Sequence, residues 1–209
     1  MVPQLLASAG FELRRPELNP QIGIVIGSTR PSRFGDKPAV WIHSIAEKRP
    51  DLDFEVIDLR DYPMPLFNEP GAPAWGPIKN EVARRWARKL AGLDGFILVT
   101  PEYNHGPSAV LKNALDYAYK EFIRKPVAFV GYGSVGGARA VEHLRLVTAE
   151  LQMVSVRHAV HIGGGDFLGL FQQGKSFDDY PHLAQSAGPM LDELSWWTRV
   201  LKTARESAV

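Results

Sequence analysis

Two guanidiniums and three hydroxyls crowd into one short stretch, Gly27-Ser28-Thr29-Arg30-Pro31-Ser32-Arg33-Phe34-Gly35. Those residue types suit an anion. Hydroxyl and guanidinium donors make charge-assisted hydrogen bonds to phosphate oxygens, and the free backbone amides of a helix start add their own. The Gly-Lys-Ser/Thr ending of a Walker loop is missing, and so are the three glycines of a dinucleotide fingerprint. A solvated turn with a helix cap would use the same residues, so the loop's meaning depends on where the fold puts it.

A second polar cluster, Pro101-Glu102-Tyr103-Asn104-His105, follows the apolar run Phe96-Ile97-Leu98-Val99. A third, Gly131-Tyr132-Gly133-Ser134-Val135-Gly136, has the form G-x-G-x-x-G. In a dinucleotide-binding unit an acidic residue would stand about twenty residues further on. Arg157 occupies that region, and too little chain follows residue 136 to complete such a domain. These glycines are read as allowing close backbone approach to a flat ligand.

The elements that must position these clusters alternate between strand and helix. Strands are predicted over residues 21–27, 52–59, 96–99, 127–131 and 154–156, the last with room to extend to Val160. Helices are predicted over 37–48, over 77–93 with Pro77 in the first turn, from Pro107 and Ser108 to Ala118, over 138–151 and over 182–205. Residues 60–76 read as a long loop carrying four prolines, and 163–179 as a glycine-rich irregular segment. Loops of such length in compact domains are usually functional. Alternation of this kind implies an α/β domain, a parallel sheet with helices on both faces. Five strands and right-handed crossovers favour the order 2-1-3-4-5, with the chain's switch point between the first and third strands. Ligands in such sheets bind outside the carboxyl ends of the strands. The clusters at 28–35 and 101–105 therefore converge on one crevice, with 131–134 alongside.

The 209 residues are 45% hydrophobic and 22% charged, with 24 basic against 23 acidic side chains, which suits one globular domain over 21–205. A net charge of +1 gives no electrostatic reason to expect a nucleic-acid partner. The absence of cysteine excludes thiolate nucleophiles, disulfides, Cys–Zn sites and Cys-ligated iron–sulfur clusters. No apolar run approaches the roughly 20 residues that span a bilayer, so no membrane partner is expected. Residues 1–20 lack a basic start and a long apolar core; they are expected to be an N-terminal arm, and the cytoplasm is the expected compartment. His158 and His161, three apart in a strand, point to opposite faces, so no metal site is expected.

The chain resembles the NADPH-dependent FMN reductase family. The matching residues are Gly27-Ser28-x-Arg30, Pro63-Met64-Pro65-Leu66-Phe67-Asn68, Thr100-Pro101-Glu102-Tyr103-Asn104, Leu111-Lys112-Asn113-x-Leu115-Asp116 and Gly136-Gly137-Ala138-Arg139. The resemblance implies a flavodoxin-like three-layer sandwich and two cofactors, FMN and NADPH. By that likeness Ser28, Thr29, Arg30, Ser32, Arg33, Phe34 and Gly35 take the phosphate. Pro101, Glu102, Tyr103 and Asn104 line the isoalloxazine and ribityl, and Gly131, Tyr132, Gly133 and Ser134 pass along the pyrimidine edge. The implied activity is hydride transfer from NADPH to FMN and then to a small acceptor such as a quinone, flavin or azo compound. A homodimer or homotetramer is implied, with Leu66 and Phe67 walling the pocket. The flavin performs the redox step itself, so no catalytic side chain is named. Two other readings stand beside this one: an electron carrier or redox sensor on the same fold, and a flavin-free dehydrogenase using 131–136. Glu102 is expected to cap or pair locally, Trp86, Trp196 and Trp197 to serve core or interface, and Lys112 to pair with Asp116.

Overall fold

A computed structural model describes residues 19–207; most of the N-terminal arm expected over 1–20 lies outside the described residues. Five parallel strands, β1 (Gln21–Ile26), β2 (Asp53–Asp58), β3 (Gly95–Pro101), β4 (Pro126–Tyr132) and β5 (Val154–Ile162), lie in the order β2-β1-β3-β4-β5. Six helices accompany them: α1 (Asp36–Ala46), α2 (Glu81–Ala91), α3 (Ala109–Asp116), α4 (Ala138–Glu150), α5 (Gly164–Gln172) and α6 (Pro181–Ser207).

The strands are apolar throughout because both faces are covered. Successive side chains alternate between two cores. Ile22, Ile24, Ile26, Ile97, Val99, Ala128 and Val130 pack with α1 and α6. Val25, Phe96, Leu98, Val127 and Phe129 pack with α2, α3 and α4. This is the three-layer arrangement expected from the strand–helix alternation. Among the described residues no helix is long and apolar enough to cross a membrane.

Several boundaries differ from the sequence reading. Helix α2 starts at Glu81 rather than Pro77, because Asn80 caps it by accepting from the Ala83 N–H at 2.9 Å. The Glu69 carboxylate accepts from the Lys79 and Asn80 amides, which ties the 60–76 loop to that start. Pro107 precedes helix α3 instead of entering its first turn; Ser108 is the cap, accepting from the Leu111 N–H at 3.2 Å. The Ser108 hydroxyl also donates to the Gly27 carbonyl, joining the end of β1 to the start of α3. Strand β5 runs on to Ile162, and the segment expected to be irregular holds α5. Phe167, Leu170 and Phe171 recur there at helical spacing, a pattern that the surrounding glycines obscured.

At the amino end of the sheet, away from these turns, Lys125 is buried. Its ammonium donates to the Leu90 carbonyl at 3.0 Å. Burial pushes its pKa down to about 8. The folded state therefore binds fewer protons than the unfolded state between about pH 8 and the unperturbed 10.5, so stability rises with pH across that window. Urea denaturation at pH 8 and pH 9.5 should show a gain of about 1–2 kcal/mol, and Lys125→Met should abolish that gain.

Candidate functional site

Strands β1, β3 and β4 are neighbours, so the three polar turns that follow them meet at one end of the sheet. Helix α1 packs on one face and α3 on the other, which puts the switch point between β1 and β3.

The first turn separates two arginines of different function. The Arg33 side chain is only 2% exposed. Its Nη1 donates to the Ser28 carbonyl at 2.7 Å and to Asp58 Oδ1 at 2.6 Å. Its Nε donates to Asp36 Oδ1 at 2.9 Å, and Nη2 reaches both carboxylates. Arg33 is thus the brace of the turn and not a free cation. Burial pushes the Asp58 carboxyl up, but hydrogen bonds from Arg33 and from the Arg60 amide outweigh it and hold its pKa below the usual range. Arg30, in contrast, is exposed and has no hydrogen-bond or ion-pair partner for its guanidinium among the described residues; it lies 5.8 Å from the Tyr103 ring centroid. Thr29 and Ser32 are exposed beside it. Ser28 is buried, its Oγ 3.3 Å from the Tyr103 hydroxyl.

Phe34 does not face the crevice. It is buried edge-on against Tyr132 at 5.2 Å and Phe167 at 5.1 Å. Gly35 caps α1, and a β-carbon there would sit 2.8 Å from the Tyr132 hydroxyl.

In the second turn the Glu102 side chain is 6% exposed, accepting from Arg139 Nε at 2.5 Å and from the Arg139 backbone N–H at 3.0 Å. It therefore caps α4 from the turn after the neighbouring strand, the local pairing expected of it. Pro101 is the buried last residue of β3. Tyr103 and Gly106 exchange backbone hydrogen bonds at 2.9 and 3.0 Å, and Asn104 and His105 between them are left-handed at φ 49° and 69°. That is the geometry of a type I′ turn, and asparagine and histidine are both among the residues that enter the left-handed region more readily than most. Arg139 Nη1 lies 2.8 Å from His105 Nε2, and since a guanidinium has only donors, Nε2 is the acceptor in that contact.

The glycines of the third turn also face backbone within the fold itself. A β-carbon on Gly131 would lie 2.5 Å from the Gly136 carbonyl oxygen, and one on Gly137 would lie 2.7 Å from the Tyr132 nitrogen. These glycines let the turn close on its own backbone. Gly133 is half-buried, and Ser134 and Val135 are exposed. The Tyr132 side chain runs beneath the first turn, where burial pushes its phenol well above the usual range.

Two contributors stand outside the residues that the sequence reading assigned to the site, although Asn113 belongs to a motif quoted for the resemblance. Arg60 bonds to the Arg30 carbonyl and extends the cationic edge. Asn113 holds the 60–76 loop in place. Its Oδ1 accepts from the Phe67 N–H, and its Nδ2 donates to the Pro65 carbonyl, both at 2.8 Å. A buried asparagine beside the apolar stripe Leu111, Ala114, Leu115 was the available signal. Asn113→Ala should cost about 1–3 kcal/mol and loosen the loop, read as faster proteolysis within residues 60–76. His158 pairs with Glu193 at 3.0 Å, His161 Nδ1 meets the Gly136 carbonyl at 2.9 Å, and Lys112 pairs with Asp116 at 2.7 Å. Trp86 is core, donating to the Ala114 carbonyl at 2.8 Å, whereas Trp196 is exposed.

Residues 20–166 match the family model described as NADPH-dependent FMN reductase. An NAD(P)H-dependent FMN reductase of Schizosaccharomyces pombe is 38% identical over 139 residues, covering 66% of this chain and 70% of the relative. A 2-hydroxy-1,4-benzoquinone reductase of a Burkholderia species is 36% identical over 142 residues, covering 64% and 73%. Among solved structures, the flavoenzyme NAD(P)H:(acceptor) oxidoreductase FerB of Paracoccus denitrificans superposes with a TM-score of 0.65 at 22% identity, over 86% of this chain and 97% of that one. At that identity the superposition speaks for the fold, which is flavodoxin-like. The sheet order, the polar turns at its switch point and the match along residues 20–166 agree: the chain belongs to the NADPH-dependent FMN reductase family.

Proposed function

We propose that the three turns seat FMN and that the chain uses NADPH to reduce small acceptors, quinones, free flavins and azo compounds among them. The observation that carries this reading is the division of labour between the arginines. Arg33 is neutralised by Asp36 and Asp58, whereas Arg30 is exposed without an anionic partner at a helix start on the switch point. A phosphate supplies what Arg30 lacks.

The residues present fit FMN in type and place. Arg30, Thr29, Ser32 and the amides entering α1 would hold the phosphate, while Arg33 keeps the turn in shape from below. Tyr103 and Asn104 would floor the ring, and the Ser134 backbone would offer its amide to the polar edge, the Gly133 N–H being taken by the Ile162 carbonyl at 3.2 Å. Fixed amides aimed at a developing charge stabilise it without reorganising. FMN, when bound, supplies the hydride chemistry, accepting from the nicotinamide and passing electrons to the acceptor. The chain's own residues bind, orient and limit access, and none is required as an acid or base.

The acceptor classes come from relatives named for quinone and azo reduction. A homodimer or homotetramer in the cytoplasm is part of the proposal, supported by Leu66, Phe67 and Trp75, exposed at 77%, 36% and 90% on the 60–76 loop. The test is an anaerobic titration of the FMN-loaded protein. NADPH should bleach the yellow band and a benzoquinone should restore it. A bound flavin that NADPH leaves yellow would point to the electron-carrier reading instead.

A further inference from the structure

Among the described residues Tyr132 Oη is a buried side-chain polar atom left without a hydrogen-bond partner. Buried hydroxyls are nearly always paired, and one that is not needs an explanation. The residue is 4% exposed. Its ring is boxed by Phe34, edge-on at 5.2 Å, and by Phe167, stacked at 6.4 Å, so the phenol is fixed in direction. That direction is the start of α1. A β-carbon on the cap residue Gly35 would lie 2.8 Å from Oη, so the missing side chain is what gives the hydroxyl its place.

Tyr103, Arg33 and Asp36 act on the phenol through charge, and the Ser28 side chain is near enough to depress its pKa, although it makes no hydrogen bond of normal geometry to Oη. Asp36 is occupied by Arg33. Ser28 Oγ and Tyr103 Oη lie 3.3 Å apart. Three hydroxyls therefore gather under one turn, and the phenol, kept protonated by burial, has a hydrogen to donate. A phenylalanine would fill the same aromatic box without burying an unpaired polar atom.

We propose that the Tyr132 hydroxyl donates a hydrogen bond to a phosphate group held at the start of α1, forming the underside of a cradle whose outer side is Arg30. The inference rests on the reading of residues 28–35 as the FMN phosphate seat, and it moves Tyr132 from the flat end of the ligand to its charged end. Tyr132 then acts as a specificity residue, favouring a phosphorylated flavin over an unphosphorylated one.

The test is Tyr132→Phe, titrated with FMN and with riboflavin by flavin fluorescence, beside the thermal midpoint of the apo-protein. FMN affinity should fall about 10-fold or more, with riboflavin affinity unchanged and the apo midpoint equal or higher. Equal losses for both flavins, or no loss for either, would overturn the proposal. A lowered apo midpoint would do the same, since it would reveal a protein partner for the hydroxyl. If the unaltered protein binds FMN no tighter than riboflavin, the seat itself fails, an outcome distinct from a seat that simply does not use Tyr132.

Discussion

Arg30→Ala is expected to weaken FMN binding by about 10- to 100-fold, the range of a charge-assisted hydrogen bond worth about 1.5–3 kcal/mol. Its thermal midpoint without FMN should not move. The Arg30 guanidinium is exposed and makes no hydrogen bond or ion pair with the described residues, so its removal leaves nothing unpaired. Calorimetric titration checks the affinity and differential scanning fluorimetry the midpoint. Arg30→Lys should recover only part of the loss, because an ammonium is a point charge and not a planar fork. Unchanged affinity in Arg30→Ala would remove the phosphate seat from residues 28–35.

The neighbouring arginine should behave in the opposite way. Arg33→Ala strands Asp36 and Asp58 beneath the turn and frees the Ser28 carbonyl. Breaking a fully buried pair costs about 3–5 kcal/mol. Here the Asp58 side chain is 26% exposed and Asp36 50%, so a loss of about 2–4 kcal/mol in chemical denaturation is the expected result. FMN affinity should fall as well, as a consequence of the disordered turn. The pair also sets a pH dependence. Asp58 has its folded pKa lowered, so its contribution is complete above the unfolded value of about 3.9 and is lost as pH falls through the lower folded value. Acid titration of stability should steepen below about pH 4 in the unaltered protein, and Asp58→Asn should flatten that slope.

The contrast between these arginines shows where sequence reasoning reaches its limit. Strand positions and their order followed from apolar runs separated by helical periodicity, because a parallel sheet buries both faces. The convergence of the turns followed from that order alone. The distinction between Arg30 and Arg33 lies three residues apart in one polar stretch and depends on Asp58, which parallel pairing sets beside Ile26 at the mouth of the turn. Nothing local to residues 28–35 carries that information. Glu102 and Arg139 are similarly remote, and their pairing occupies the Glu102 carboxylate. Tyr132 follows strand alternation, which turns its ring toward Phe34 and beneath the first turn. The glycines of 131–137 were legible as a tight turn, but which backbone they admitted was visible only in the folded chain. Helix α5 was hidden because glycine's helix cost outweighed a three-residue aromatic and aliphatic signal.

The central claim is a phosphate seat at the start of α1 with a flat-ligand shelf beside it. Parallel titrations of the unaltered apo-protein with FMN and with riboflavin isolate the phosphate from the ring. Two or more charge-assisted hydrogen bonds should make FMN bind at least about 100-fold tighter. Equal dissociation constants for the two flavins would contradict the seat.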